Sequence, residues 1–203
     1  MEKKYVIMAD GNMTRWAPGR TEPKHLLKVG GETLLARLVR QLKAVDSQAD
    51  IIITSHDPRY EVAGATRYEP ENNVMEIDRF TWELIDDGVC FLYGDTYYTD
   101  SAVEMICQAE GEELVFVGTS SSVVAVKALS AATLKEHIGR VKQAYANGET
   151  KECKGWQIYQ SYAGLPFGPA RIEGHFLLLD DGTRGFNTVE EYRSFLSDQG
   201  LGA

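Results

Sequence analysis

The chain of 203 residues is short of basic residues, proline and cysteine, and each shortage narrows what it can be. Lysine and arginine total 21 against 30 aspartates and glutamates, a formal charge of −9. Nucleic acid is therefore disfavoured as a partner, because holding a phosphate backbone needs a net basic face. No apolar run approaches the roughly 20 residues that span a bilayer, so no membrane segment is expected. The longest runs, residues 5–9 and Val89–Tyr93, are strand-sized. Residues 1–4, Met-Glu-Lys-Lys, lead straight into the first run, and no leader segment is expected. The three cysteines, Cys90, Cys107 and Cys153, are odd in number and lack metal spacing, which suits reduced thiols in a cytoplasmic protein. The four histidines, His25, His56, His137 and His175, are equally scattered, so structural or surface roles are expected for them. Neither G-x-G-x-x-G nor G-K-[ST] occurs, which removes the dinucleotide fingerprint and the Walker loop. Asp95 is followed by Thr96-Tyr97, so a D-x-D metal motif is missing as well. With six prolines, no repeat and no Gly/Pro/Ser-rich linker, residues 1–203 are expected to form a single domain.

What is present alternates between two periods. Residues 5–9, 50–55, Val89–Tyr93 and 114–118 are β-branched or apolar and predict strands. Residues 31–45 carry Leu34, Leu35, Leu38, Val39 and Leu42 on one helical stripe, and 73–87 and 101–110 are read as further helices. Alternating strands and helices imply a parallel α/β sheet with right-handed crossovers. The second half is less regular. Residues 123–128 and 174–179 read as extended, and 132–146, Gly155–Tyr162 and 188–196 as helical. A sheet that begins parallel and then gains antiparallel pieces is expected. Trp82 shares a helical pattern with Phe80 and Ile85 and is expected in the core.

In such sheets ligands sit at the carboxyl ends of the strands. Residues 10–23 follow the first strand, where Gly11 lets backbone N–H groups approach a phosphate. Arg15 supplies a planar fork and Lys24 a mobile point charge. Tyr93-Gly94-Asp95 ends another strand, where a carboxylate suits Mg²⁺ or, alternatively, caps the next helix. Trp156, Tyr159, Tyr162 and Phe167 flank a Gly/Pro-rich stretch at 164–174, which reads as an acceptor lid or as a packed loop.

Taken together, these pieces resemble the nucleoside-triphosphate transferase family, which acts on sugar 1-phosphates and phosphocholine. The family opens with a strand, A-A-G-x-G-[ST]-R, then P-K-x-L-[LV] and a G-x-P-[LM]-[IL] continuation. This chain has residues 4–9, Gly11, Thr14-Arg15, Pro23-Lys24-His25-Leu26-Leu27 and Val29-Gly30-Gly31-Glu32-Thr33-Leu34-Leu35. Tyr93-Gly94-Asp95 is similar to the family's metal-ligating G-D, Asn72-Asn73-Val74 to an N-N segment of phosphocholine cytidylyltransferases, and Phe186-Asn187-Thr188-Val189-Glu190-Glu191 to its closing [DN]-T-P-E-[DE] motif. The chain departs at Asp10, Met13 and Val189, and it carries Asn187 where many members have Asp.

The resemblance implies a three-layer, Rossmann-like (GT-A-like) nucleotidyltransferase fold: a mixed, mostly parallel sheet with helices on both faces. It implies transfer of NMP from an NTP to a small phosphorylated acceptor, with Mg²⁺ as cofactor and a monomer or homo-oligomer as the assembly. Arg15 and Lys24 would be catalytic, at the leaving phosphates and the α-phosphate, and Asp95 with Asn187 would hold the metal. Ala9, Asp10, Gly11, Asn12, Asn72, Asn73 and Gly94 would join Arg15 and Lys24 in binding the nucleotide. Asp10, acceptor-only when ionised, is expected to favour the donor edges of guanine or cytosine over uracil. Lys142, Lys151 and Lys154 remain alternatives for the acceptor phosphate. A molybdopterin guanylyltransferase-like enzyme and a non-catalytic nucleotide- or sugar-binding protein stay open as alternative readings.

Overall fold

The first strand, β1 (Lys4–Met8), is buried from Tyr5 onward, with consecutive side chains entering opposite layers. Tyr5 and Ile7 join one hydrophobic cluster while Val6 and Met8 join another, as the two-residue period of a strand requires. The computed structural model describes residues 3–11, 23–169 and 171–201. After β1 come a hairpin of β2 (Lys28–Val29) and β3 (Glu32–Thr33), helix α1 (Leu34–Val45), β4 (Asp50–Thr54) and β5 (Thr66–Tyr68). Then follow β6 (Val89–Tyr93), β7 (Thr96–Tyr97), α2 (Asp100–Gln108), β8 (Leu114–Thr119) and β9 (Ser122–Ala128). The chain closes with α3 (Ala131–Ala146), α4 (Gly155–Tyr162), β10 (Phe176–Leu178), β11 (Arg184–Gly185) and α5 (Val189–Asp198).

The main sheet has seven strands in the order β10-β8-β9-β6-β1-β4-β5. Strands β6, β1, β4 and β5 are parallel, and β9 runs against both β6 and β8. That is the expected sheet, parallel first and mixed later. On one face α1 and α2 bury Leu35, Leu38, Leu42, Val103 and Ile106. On the other, α3 and α4 bury Leu134, Ile138, Val141, Trp156 and Tyr159. The result is the three-layer α/β fold. A smaller cluster of Leu27, Val29, Leu34, Phe186 and Phe195 fastens α5 to the β2–β3 hairpin.

Several boundaries move for identifiable reasons. Helix α1 begins at Leu34 rather than at 31, because Gly30 and Gly31 turn the hairpin at φ 61° and 85° and Thr33 Oγ1 caps Ala36 N–H. Residues 73–87 do not form a helix. They fold as two short 3₁₀ turns, Glu76–Arg79 and Trp82–Leu84. The Asp78 carboxylate accepts Val74 and Met75 N–H and meets Lys142 Nζ at 2.6 Å, which fixes the start of the first turn at Glu76, and Phe80 ends it by leaving helical geometry at ψ 65°. Trp82 is accordingly not core: it is 51% exposed, with the Lys135 ammonium 5.3 Å from its ring centroid. Phe80 and Ile85 are buried as expected. The strand read at 174–179 shrinks to β10 because Gly174 and His175 both take positive φ. Among the described residues, no helix is long and apolar enough to cross a membrane.

Candidate functional site

Three parallel strands deliver their carboxyl ends to one edge of the sheet. β1 runs into Ala9, Asp10 and Gly11, β4 into Ser55 and His56, and β6 into Gly94 and Asp95. Gly94 lets β6 pass close to β1. A Cβ there would lie 3.0 Å from Met8 O and Ile7 Cγ2, and Gly94 N–H donates to Met8 O at 3.0 Å. Beyond it the Asp95 carboxylate meets Lys24 Nζ at 3.8 Å, with both side chains partly shielded. The two predicted charges, 71 positions apart in sequence, thus face each other across the ends of β1 and β6.

Asn187 arrives by a different route. β7 follows Asp95 directly and pairs antiparallel with β11, with Thr96 opposite Gly185. That register sets residues 186–187 beside residue 95, and Asp95 and Asn187 both line one cleft of about 590 Å³. Asn187 N–H donates to Glu191 Oε2 at 2.7 Å, while Thr188 Oγ1 accepts Glu191 N–H and caps α5. These bonds leave the Asn187 amide side chain outside the capping interaction.

The same cleft is lined by Arg79, Tyr93, Lys154 and Trp156. Gly168 and Pro169 bring the Gly/Pro-rich stretch to its wall. Lys154 pairs with Glu152 at 2.8 Å, whereas Lys142 is taken up by Asp78 on the helical face. Arg79 was not singled out in the sequence, since it lies in the stretch that reads as helix. The one chemical signal it offered was a cation after a buried acidic turn residue, which is too common to select it.

Asp10 is tied into the scaffold. Its carboxylate accepts His56 N–H at 3.1 Å, His56 Nδ1–H at 2.7 Å and Asn73 Nδ2–H at 2.8 Å, and its carbonyl accepts Asn73 again at 2.6 Å. It therefore clamps the ends of β1 and β4 to the segment after β5. Asn73 is in contact with the first loop, while neighbouring Asn72 is exposed. Ala9 is buried, with its N–H bonded to Thr54 O at 3.1 Å. Asn12 and Arg15, like Met13 and Thr14, lie outside the described residues.

His25, next to Lys24, is buried with Nδ1 at 3.0 Å from Tyr60 Oη. Burial pushes its pKa down to about 4, and the positive charges of Arg79 and Lys24 act in the same direction against Asp95 and Asp10. The ring is neutral at physiological pH and serves as a polar strut beneath Lys24. The cysteines are buried and free, and burial raises the Cys90 thiol to about 12. Burial raises the Cys107 and Cys153 thiols as well, which disfavours the thiolate at neutral pH.

No family model matches the chain, and neither does any curated protein. Solved structures do. The chain superposes on the CTP:phosphocholine cytidylyltransferase of Streptococcus pneumoniae with a TM-score of 0.54 and 15% identity, covering 97% of this chain and 98% of that one. A nucleoside-diphosphate-sugar pyrophosphorylase from Vibrio cholerae gives a TM-score of 0.58 at 14% identity, covering 95% and 99%. A CMP:2-keto-3-deoxy-manno-octonic acid synthetase complexed with CTP gives 0.59 at 12%, covering 98% and 99%. The chain has the fold of these nucleotidyltransferases over nearly its whole length.

Proposed function

We propose that this protein transfers a nucleotidyl group from an NTP to a small phosphorylated acceptor and releases pyrophosphate. The observation that supports it best is the pairing of Lys24 with Asp95 at the strand ends, on the rim of a cleft that Asn187 also faces. The fold shared with solved nucleotidyltransferases supports the same reading.

The chemistry suits these residues. An oxygen of the acceptor's phosphate bonds to the α-phosphorus of the NTP. The bridging bond from that phosphorus breaks, and its electron pair leaves with pyrophosphate. The attacking oxygen is already ionised at neutral pH, so no general base is needed, which agrees with a neutral, buried His25. What the reaction requires is neutralised charge and in-line placement of two anions that repel each other. Lys24 would bear on the α-phosphate and Arg15 on the departing phosphates.

Among the described residues, no three of His, Cys, Asp and Glu gather as a ready-made metal cage. Mg²⁺ does not need one, because it keeps waters and takes one or two protein oxygens plus phosphate oxygens. Asp95 and Asn187, oxygen-bearing and lining one cleft, fit that donor set and would hold it. Bound there, Mg²⁺ would offset the charge shared between the α-phosphate and the acceptor phosphate.

The test is a pyrophosphate-release screen of the four NTPs against phosphorylated acceptors with Mg²⁺, run on the wild type and on Lys24→Ala. The wild type is expected to release pyrophosphate with at least one pair. Lys24→Ala should fold normally and turn over about 10²–10³ times more slowly, the usual loss of one preorganised charge. Pyrophosphate release by the variant at more than half the wild-type rate would refute the role of Lys24. Silence of the wild type, with thermal stabilisation by nucleotide, would indicate a binding protein.

A further inference from the structure

Arg79 ends the short 3₁₀ turn Glu76–Arg79, in which Ile77 and Asp78 are buried. Its guanidinium lies against the start of the first loop. A Cβ added at Gly11 would stand 2.9 Å from both Arg79 Cζ and Nη2, so glycine at 11 is what lets the cation sit there. The side chain is only 20% exposed, yet among the described residues its ionic partner is Glu76, at a loose 3.9 Å. A shielded guanidinium with five donors and so weak a partner has capacity left for an anion. Of the other two cations lining the cleft, Lys154 is engaged at 2.8 Å by Glu152, and Arg184 stands exposed on β11, without the shielding that Arg79 has.

Position decides which anion. Arg79 lines the cleft with Asp95, Asn187, Tyr93 and Trp156, whereas Ala9, Asp10, Asn73 and Lys24 are not among the described residues that line it. Those four belong to the proposed nucleotide side. Arg79 thus lies between that side, which it touches through Gly11, and the open cleft. We propose that Arg79 holds the phosphate of the acceptor, fixing the attacking oxygens with a two-pronged guanidinium contact while the rest of the acceptor occupies the cleft toward Trp156. This rests on the transferase reading and adds to it a residue outside the recognised motifs.

The experiment titrates inorganic phosphate calorimetrically into the full-length chain in four forms: wild type, Arg79→Gln, Arg79→Lys and Arg140→Gln. Arg140 is an exposed cation of α3 that pairs with Glu136, and it controls for net charge. The wild type and Arg140→Gln should bind alike. Arg79→Gln should bind at least tenfold more weakly, and Arg79→Lys, which keeps the charge but loses the fork, should fall between. Thermal melts without ligand accompany each variant, and Arg79→Lys decides the matter if Arg79→Gln is misfolded. With the substrate pair from the pyrophosphate screen, Arg79→Gln should raise KM for the acceptor at least tenfold and leave KM for the NTP within twofold. Phosphate binding that is absent in the wild type or unchanged in both Arg79 variants overturns the proposal, as does a rise confined to KM for the NTP. A wild type that binds phosphate through Arg79 but releases no pyrophosphate defeats the transferase reading and leaves the phosphate site standing.

Discussion

Lys24 and His25 are adjacent in sequence and have opposite fates, one cation facing Asp95 and one neutral ring buried against Tyr60. The buried ring has a measurable consequence. In the unfolded chain His25 takes up a proton near 6.5, and in the folded chain only near 4. Between those values the unfolded chain holds more protons, so stability falls as the pH falls through that window. The full difference corresponds to about 3 kcal/mol. His137, also pushed down by burial, adds to the same slope. Urea melts from pH 7 to pH 4 should therefore show a flatter decline in His25→Gln than in the wild type. Parallel curves would mean that His25 is not the buried neutral group described. At this scale the sequence was informative where a residue type is rare in its setting. The lysine after Pro23 and the aspartate after Gly94 stood out, and the structure brings them within 3.8 Å. Asp10 stood out too, but its partners are His56 and Asn73, from loops whose approach depends on tertiary packing. Arg79 stayed hidden because its significance is its contact with Gly11, 68 positions away.

Elements with a strong period were read almost in full. α4 spans the residues expected of it, Gly155–Tyr162, and α1, α2 and α3 differ from expectation only at their ends. At 73–87 the first turn starts only at Glu76, where Asp78 caps the N–H groups of Val74 and Met75 beside the countercharge of Lys142, and it ends at Phe80, whose ψ of 65° leaves helical geometry. Side-chain capping of that kind sets where a turn starts and leaves little trace in hydrophobic periodicity. The start of α4 offers a test of how the elements pack. A Cβ at Gly155 would lie 2.5 Å from Tyr93 Oη and 3.3 Å from Phe80 Cζ, so the helix enters against β6 only because residue 155 has no side chain. Gly155→Ala should gain a few tenths of a kcal/mol of helix propensity and lose about 1–3 kcal/mol to overpacking. Chemical denaturation should show net destabilisation. An equal or more stable variant would mean that α4 does not approach Tyr93 so closely.

For the molecule as a whole, the alternation of strands and helices sufficed for a parallel α/β sheet, and the carboxyl-end rule then pointed to the loops that the structure gathers at one edge of it. The strand order was not legible. It depends on β9 entering antiparallel between β6 and β8, which the short connection at residues 120–121 permits but does not require. Nor was the β7–β11 pair legible, at two residues each, although it is what brings Asn187 to Asp95. The account's central claim concerns which bond of the NTP is cut, and isotope position reads that directly. The protein would be incubated with Mg²⁺, the acceptor found in the pyrophosphate screen, and NTP carrying ³²P at either the α or the γ position. Nucleotidyl transfer puts the α label into the acceptor product and the γ label into pyrophosphate. Label from the γ position in the acceptor or in free phosphate, with the α label remaining in NDP, would contradict the account.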